Sequence, residues 1–382
     1  MVSGRRTRWN SQSWRAWHLV GSGRLRIGWD ALGGSLVTIA DRHFVRRRRL
    51  FEEGALPGGL HAPPRRLMRG GSIYSQVGSP DKIRAERITD VPSDRDQRSR
   101  TMQDYLEEFA RDREFVKLLG RRDDELDLTV AALELARDAD PELDFGPTLA
   151  WCDARAAELA GPIARAGNDL KIVEALTECL AVRQGLTGDP AAYDSPAGSY
   201  LPKVIETRRG IPISLSLLYL AVADRAGLGL KGVCAPGHFL TRFDTLHKPY
   251  FIDAYQQGSV HTMAETLERL MSEQELTRAE ARQALEPSSP RAIVVRMLNN
   301  LKAITARTED WRLCYKVQSR LLALHPAQYN ERRDWGLIAL KSGRPGPALT
   351  MIEQCLKTCP EDEQQVLHDH VRLARSALAQ FN

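Results

Sequence analysis

No run of eighteen apolar residues occurs anywhere in the 382-residue chain, whereas a helix needs about 20 to cross a bilayer. The sequence therefore offers no membrane-spanning helix, and no membrane contact is expected. The first thirty residues also lack a continuous apolar segment ahead of a small-residue cleavage site, so a secretory signal is not expected. The six cysteines, Cys152, Cys179, Cys234, Cys314, Cys355 and Cys359, show no paired spacing. That scatter excludes a disulfide scaffold and reads as reduced thiols in a cytoplasmic protein. Cys355, Cys359, His368 and His370 have neither zinc-knuckle spacing nor an unbroken helix, because Pro360 stands between the pairs, and no metal is expected. A phosphate loop, a glycine-rich dinucleotide turn and a pair of catalytic carboxylates are all missing too, so the expectation for cofactors is none.

Charge is unevenly shared. Residues 1–100 hold 20 Lys+Arg against 9 Asp+Glu, while the other 282 hold 34 against 40. Nucleic acid is thus expected as a partner of no part but this tail, since the remainder on average repels phosphate. The tail carries RRRR at 46–49, LPGG, HAPPRR and RGGS without a sustained helical or strand period, a composition that buries little apolar surface. It is expected to be a disordered basic tail, or a mis-called start ahead of Met68 or Met102. The tryptophans Trp9, Trp14, Trp17 and Trp29 among its arginines leave a nucleic-acid arm open, with an organellar targeting segment as a further alternative.

From 103 to 185 the apolar residues recur at three and four. Leu106, Phe109, Phe115 and Leu119 predict one helix, Leu126, Val130, Leu133 and Leu135 a second, and TLAWCDARAAELAGPI and LKIVEALTECLAVRQGL two more. The next helical stretch, PISLSLLYLAVADRAG, has few polar positions. Its leucines and Val222 point in nearly every direction around the axis, which predicts a central helix buried on all sides, with Pro212 in the first turn and Gly227 past the end. The β-like runs LKGVC, HFLTRF and PYFIDAY follow, separated by the turns APG and DTLHKP. TMAE at 262–265 and TRAE at 277–280 match the capping box and predict two closing helices. Pro287–Pro290 is expected to be a hinge, with Ser289 capping the helix beyond it.

The last hundred residues carry a weak 34-residue period between Pro326 and Pro360. Ala348, Gly343 and Gly336 fall on the small-residue positions of a tetratricopeptide repeat, where two helices approach closely. The preceding repeat fits less well, because Lys302 stands where glycine is wanted. The expected fold class is α+β and mostly helical, with three parts: the tail at 1–100, an α+β domain with a helical subdomain in front at 101–286, and tetratricopeptide-like helical repeats at 287–382.

The stretch SYLPKVIETRRGIPISLSLLYLAVADRAGLGLKGVCAPGHFLTRF, followed by FIDAY, resembles the SirB-one family of bacterial proteins, which join a transglutaminase-like core to C-terminal tetratricopeptide-type repeats. The resemblance spans roughly residues 103–382 and is most specific from Ser199 to Tyr255. Gly198 departs from the pattern where asparagine is expected, and AYQQG replaces a Pro-Phe-Asn-Gly-type ending after Asp253. What the resemblance implies is a papain- or transglutaminase-like α+β core. The helix from Pro212 would correspond to the one that bears the catalytic cysteine, and His238 and Asp253 to the second and third triad members. Such a thiol sits at a helix N-terminus because the aligned amide dipoles stabilise the thiolate. Here Gly210, Ile211, Pro212 and Ile213 stand in its place.

Removing the nucleophile from a triad costs on the order of a millionfold in turnover, so the expected function is a non-catalytic, protein-binding or regulatory one with an unidentified protein or peptide partner. The cleft expected to hold that partner comprises Tyr200, Arg208, Arg209, Pro212, His238 and Asp253. The alternative is an acyl-transfer or hydrolytic enzyme that uses His238 and Asp253 with an unrecognised nucleophile. Ser214 and Cys234 are the candidates, with Ser216 as a further hydroxyl on the same helix.

Overall fold

The computed structural model describes residues 102–380, together with two short strands, β1 (Ile27–Trp29) and β2 (Leu36–Thr38), that pair antiparallel. What was expected of the rest of the basic tail lies outside the described residues.

The leading helices are α1 (Met102–Glu108), α2 (Arg113–Leu119), α3 (Leu128–Arg137), α4 (Gly146–Ala164) and α5 (Asp169–Thr177), the last continuing into a π-helical turn over Glu178–Arg183. The single helix expected over 106–119 is two. The chain bends between them so that Phe109 and Phe115 close on the guanidinium of Arg320, which lies 4.6 and 4.7 Å from their ring centroids. Asp127 starts α3 by accepting the amides of Thr129 and Val130 at 2.8 and 3.1 Å, the usual role of a capping carboxylate. Glu134 of α3 accepts the amides of Glu114 and Phe115, both at 2.9 Å, and so caps α2 from outside.

A short strand, β3 (Thr187–Gly188), runs parallel to β4 (Arg209–Gly210), with α6 (Leu201–Thr207) between them in sequence. The next helix, α7 (Pro212–Arg225), is buried at every position from Pro212 to Ala223, as its all-round apolar pattern requires. Gly227 follows with φ +72, the left-handed turn that ends the helix. A four-stranded antiparallel sheet comes next, β5 (Leu230–Val233), β6 (Leu240–Phe243), β7 (Tyr250–Asp253) and β8 (Ser259–Thr262), in sequence order. β8 was not foreseen, since Ser-Val-His-Thr shows no clear apolar alternation and all four residues are only partly buried. Side-chain alternation sends Phe251 and Ile252 to opposite faces. Ile252 joins the core around α7. Phe251, with Val233 and Leu240, packs against α8 (Met263–Gln274) and α9 (Arg278–Ala284). Both of these helices open on the expected capping boxes, Thr262 with Glu265 and Thr277 with Glu280.

Five further helices complete the chain: α10 (Pro290–Arg307), α11 (Trp311–Leu324), α12 (Tyr329–Lys341), α13 (Pro345–Leu356) and α14 (Glu361–Ala379). Ser289 caps α10 as expected, but the hinge does not stand. The Ser288 amide donates to the Gly232 carbonyl and its hydroxyl accepts from the Cys234 amide, both at 2.9 Å. This segment is thereby stitched to β5. Helix α10 then serves two neighbours: Ile293 packs on β5, where a Cβ at Gly232 would come within 2.8 Å of it, and Lys302 lies among the repeat helices. Lys302 tolerates a crowded position because its ammonium reaches Asp334 of α12, itself bonded by Arg333. Gly336 and Ala348 stand at tightly packed positions of α12 and α13. A Cβ at 336 would lie 2.9 Å from Ile352, and Ala348 is wholly buried. Gly343 is needed for a different reason, its φ of +78 in the turn between those helices, since nothing crowds it. No helix among the described residues is long and apolar enough to cross a membrane.

Candidate functional site

His238 follows the turn Pro236–Gly237, whose glycine has φ +70, and its amide donates to the Ala235 carbonyl at 3.1 Å. Asp253 ends β7. The β6–β7 register pairs Thr241 with Ile252, so the strand carrying Asp253 extends alongside the segment that leads into β6. His238 Nε2 lies 2.8 Å from Asp253 Oδ1. The distance is that of a hydrogen bond.

Asp253 is 0% exposed and His238 4%. An ionised carboxylate so deeply placed needs partners. Arg269 of α8 supplies one, its Nη1 3.4 Å from Oδ2, and the Gln256 amide donates to Oδ1 at 3.2 Å. Burial alone would push this carboxyl up. The charge and hydrogen bond of His238, then Arg269 and the Gln256 amide, outweigh it and hold the group below the usual carboxylate range. Sequence reasoning missed Arg269, whose one signal is its place beside the buried Leu267 and Leu270 of an otherwise polar helix.

Around the pair stand more polar and aromatic groups. Tyr255 meets the His238 ring edge-to-face at 6.2 Å, and its own ring occupies the space above Gly188, where a Cβ would come within 2.2 Å of it. Gly188 is thus the only residue type that β3 can offer there. Ser259 Oγ lies 2.9 Å from His261 Nε2. Burial lowers the His261 pKa, and the nearby charges of Asp253, Arg269, Glu265 and His238 act on it in both directions. The turn after Asp253 runs through Gln257 and Gly258, with φ of +53 and +68. A Cβ at Gly258 would come within 2.7 Å of the Tyr219 hydroxyl. What α7 presents to the Asp253 turn is therefore Tyr219, two turns into the helix.

The remaining sequence candidates lie elsewhere. Ser214 Oγ donates to the Gly198 carbonyl at 2.6 Å and accepts from the Ile211 amide at 3.2 Å. The hydroxyl is committed to the backbone on a side chain 1% exposed, as serines near the start of apolar helices tend to be. Glycine at 198 has a separate cause, for a Cβ there would stand 2.0 Å from the Ala192 carbonyl oxygen. Ser216 is wholly buried. Burial pushes the Cys234 thiol above its ordinary pKa, with smaller opposing effects from Ser288 and from Arg296, which is the wrong direction for a nucleophile. Among the residues expected to form an open cleft, Tyr200, Pro212, His238 and Asp253 are buried, while Arg208 is half-buried and Arg209 exposed. The structure brings together His238 and Asp253 but does not present the six as one accessible surface. Among the described residues no group of three or more His, Cys, Asp or Glu is arranged to hold a metal ion. What the His238–Asp253–Arg269 arrangement can do chemically is orient an imidazole and bind α8 to the sheet.

Comparison with known proteins adds an independent line. Residues 148–299 match the profile of the transglutaminase-like superfamily and residues 301–378 that of the tetratricopeptide repeat. The handover falls inside α10, in accord with its two sets of neighbours. Two UPF0162 proteins of Xylella fastidiosa, strains Temecula1 and 9a5c, are each 33% identical over 242 residues, 62% of this chain and 86% of theirs. A UPF0162 protein of Vibrio cholerae is 25% identical over 248 residues, 63% of this chain and 88% of its own. Protein SirB1 of Salmonella typhimurium is 26% identical over 182 residues, 47% and 66% of the two chains. No solved structure matches the chain significantly.

Proposed function

Because the chain belongs to the UPF0162/SirB1 family, which joins a transglutaminase-like core to C-terminal tetratricopeptide repeats, we propose that it is a non-catalytic member of the transglutaminase-like group that binds a protein partner. The observation that carries this reading is the His238–Asp253 pair, held at 2.8 Å and sealed from solvent, beside a helix whose first turn contains no thiol. General base catalysis needs an imidazole within reach of a nucleophile and of substrate. His238 has Asp253, Tyr255 and the core around it instead. The pair then serves as architecture: it fixes the end of β7 and, through Arg269, the position of α8. Recognition falls to the repeat region, since stacked helical pairs present extended surfaces to protein ligands.

Amide hydrolysis and amine transfer to glutamine, assayed on wild type and on His238→Ala, Ser214→Ala and Cys234→Ala, are expected to stay at the buffer background throughout. Wild-type turnover that any one of these substitutions abolishes would overturn the reading and name the nucleophile or base. In parallel, a partner recovered from the native bacterium should bind a His238→Ala chain as long as that chain remains folded.

A further inference from the structure

Ser199, Tyr200 and Asn300 each bury a polar atom that has no protein partner: Ser199 Oγ, Tyr200 Oη and Asn300 Oδ1. All three residues line one small cavity under the N-terminal part of α7. Its other walls are apolar, with Leu135 from α3, Ile213 and Leu217 from α7 and Met297 from α10. The cavity holds about 10 Å³, room for a single water-sized sphere. Internal sites that are purely apolar stay dry, whereas a site of this size with two to four polar partners can hold a water.

We propose that this cavity is a binding site for one structural water molecule that joins the segment entering α6 to α10. The hydrogen-bond valences match. Tyr200 donates its hydroxyl proton, and burial pushes the phenol pKa upward, so it remains a donor across the working range. Asn300 Oδ1 accepts one proton of the water. Ser199, whose hydroxyl rotates, accepts the other or donates to the second lone pair. Three bonds are the typical number for an internal water. The volume matches a single water. The site spans the two parts of the molecule: Ser199 and Tyr200 lie before α6 in the transglutaminase-like region, and Asn300 lies on α10, the helix that leads into the repeats. A shared water therefore ties the segment entering α6 to the first repeat helix, a link independent of the binding function proposed above.

The test is a crystal structure of the full chain at a resolution that shows ordered solvent. A solvent peak within about 2.7–3.2 Å of the three atoms is expected. A cavity without a peak, or side chains turned to bond one another, would overturn the proposal. A second measurement in solution uses urea unfolding of Tyr200→Phe, Asn300→Leu and the double variant. A water shared by both residues makes their effects non-additive, so the unfolding constant of the double variant should differ from the product of the single effects by at least roughly threefold. Effects that multiply to within that margin count against it. Tyr200→Phe keeps the ring and so should fold whatever becomes of Asn300→Leu, and its crystal structure should show the peak weakened or displaced; an unchanged peak would mean that Tyr200 does not hold the water.

Discussion

Replacing Arg320 by alanine removes a cation that is 1% exposed from beneath α11 and leaves two carboxylates behind it. Asp138 receives Nε at 2.7 Å and Nη2 at 2.9 Å, and Asp112 receives Nη2 as well as a bond from Arg137. Phe109 and Phe115, themselves 4.8 Å apart and edge-to-face, both lie against the guanidinium. Breaking a buried ion pair by deleting one partner costs about 3–5 kcal/mol, because the orphaned charge stays buried. Asp112 keeps Arg137, which puts this contribution in the lower half of that range, while two lost cation–π contacts add roughly 1 kcal/mol. The sum is about 4 kcal/mol. For domains of about 150–250 residues each kcal/mol shifts the melting midpoint by about 2–4 °C, and for a longer chain by less, so Arg320→Ala should melt several degrees below wild type by circular dichroism. Arg320→Lys keeps the charge but loses the two-pronged geometry and the stacking, and should recover only part of the loss. The leading helices should also become an early site of limited proteolysis, since Arg320, with Lys316 and Arg291, ties them to α10 and α11. A cost below about 1 kcal/mol for Arg320→Ala would refute the claim that this buried cluster holds the two ends together.

Ala348→Leu should overpack the contact between α12 and α13 and cost about 1–3 kcal/mol in urea unfolding; a variant as stable as wild type would mean that the repeat phase is mistaken. Glu134 is pushed up to about 7 by burial, against the pull of the Glu114 and Phe115 amides. Its raised folded-state pKa means that the native chain binds this proton more tightly than the unfolded one, so stability should fall as pH rises from about 4.5 to about 7 and level off above. Urea midpoints at pH 5 and pH 8 should differ less in Glu134→Gln than in wild type, and an equal difference would exclude Glu134 as the titrating group. His238→Ala leaves Asp253 with Arg269 as its one cation at 3.4 Å, and should cost about 2–4 kcal/mol; a loss under about 0.5 kcal/mol would count against the pair as architecture.

Much of this fold was legible because its signals are local. The capping boxes at Thr262 and Thr277 are read from four residues each, the all-round apolar pattern of α7 from fourteen, and the small positions at Gly336 and Ala348 from a spacing. What escaped the sequence depends on partners distant in the chain. Arg320 looks like an ordinary polar residue of α11 until Asp112, Asp138 and two phenylalanines gather around it from about 200 residues away. Lys302 looks like a misfit in its repeat until Asp334, 32 positions on, neutralises it. The supposed hinge at 287–290 was misjudged for the same reason: Pro and Ser signal a break in helix, which is present, but say nothing of the hydrogen bonds that Ser288 makes to β5. The pairing of His238 with Asp253 came from resemblance, and its burial was visible only in three dimensions.

That burial bears on why a histidine and an aspartate stand in triad order without a nucleophile. Asp253 is wholly enclosed and ionised, held by His238, Arg269 and the Gln256 amide. Loss of His238 strands a charge in the interior, and loss of Asp253 leaves Arg269 and the imidazole facing each other with like charge whenever the ring is protonated. Neither residue can be exchanged alone without a penalty of a few kcal/mol, comparable to a large share of the 5–15 kcal/mol that holds an ordinary domain folded. The head of α7 is occupied as well: Ser214 satisfies the backbone there and Ile211 and Ile213 fill the core, so a thiol in place of either isoleucine would leave a cavity. Stability thus suffices to keep the pair and disfavours a thiol at the α7 start, which is the combination the chain displays.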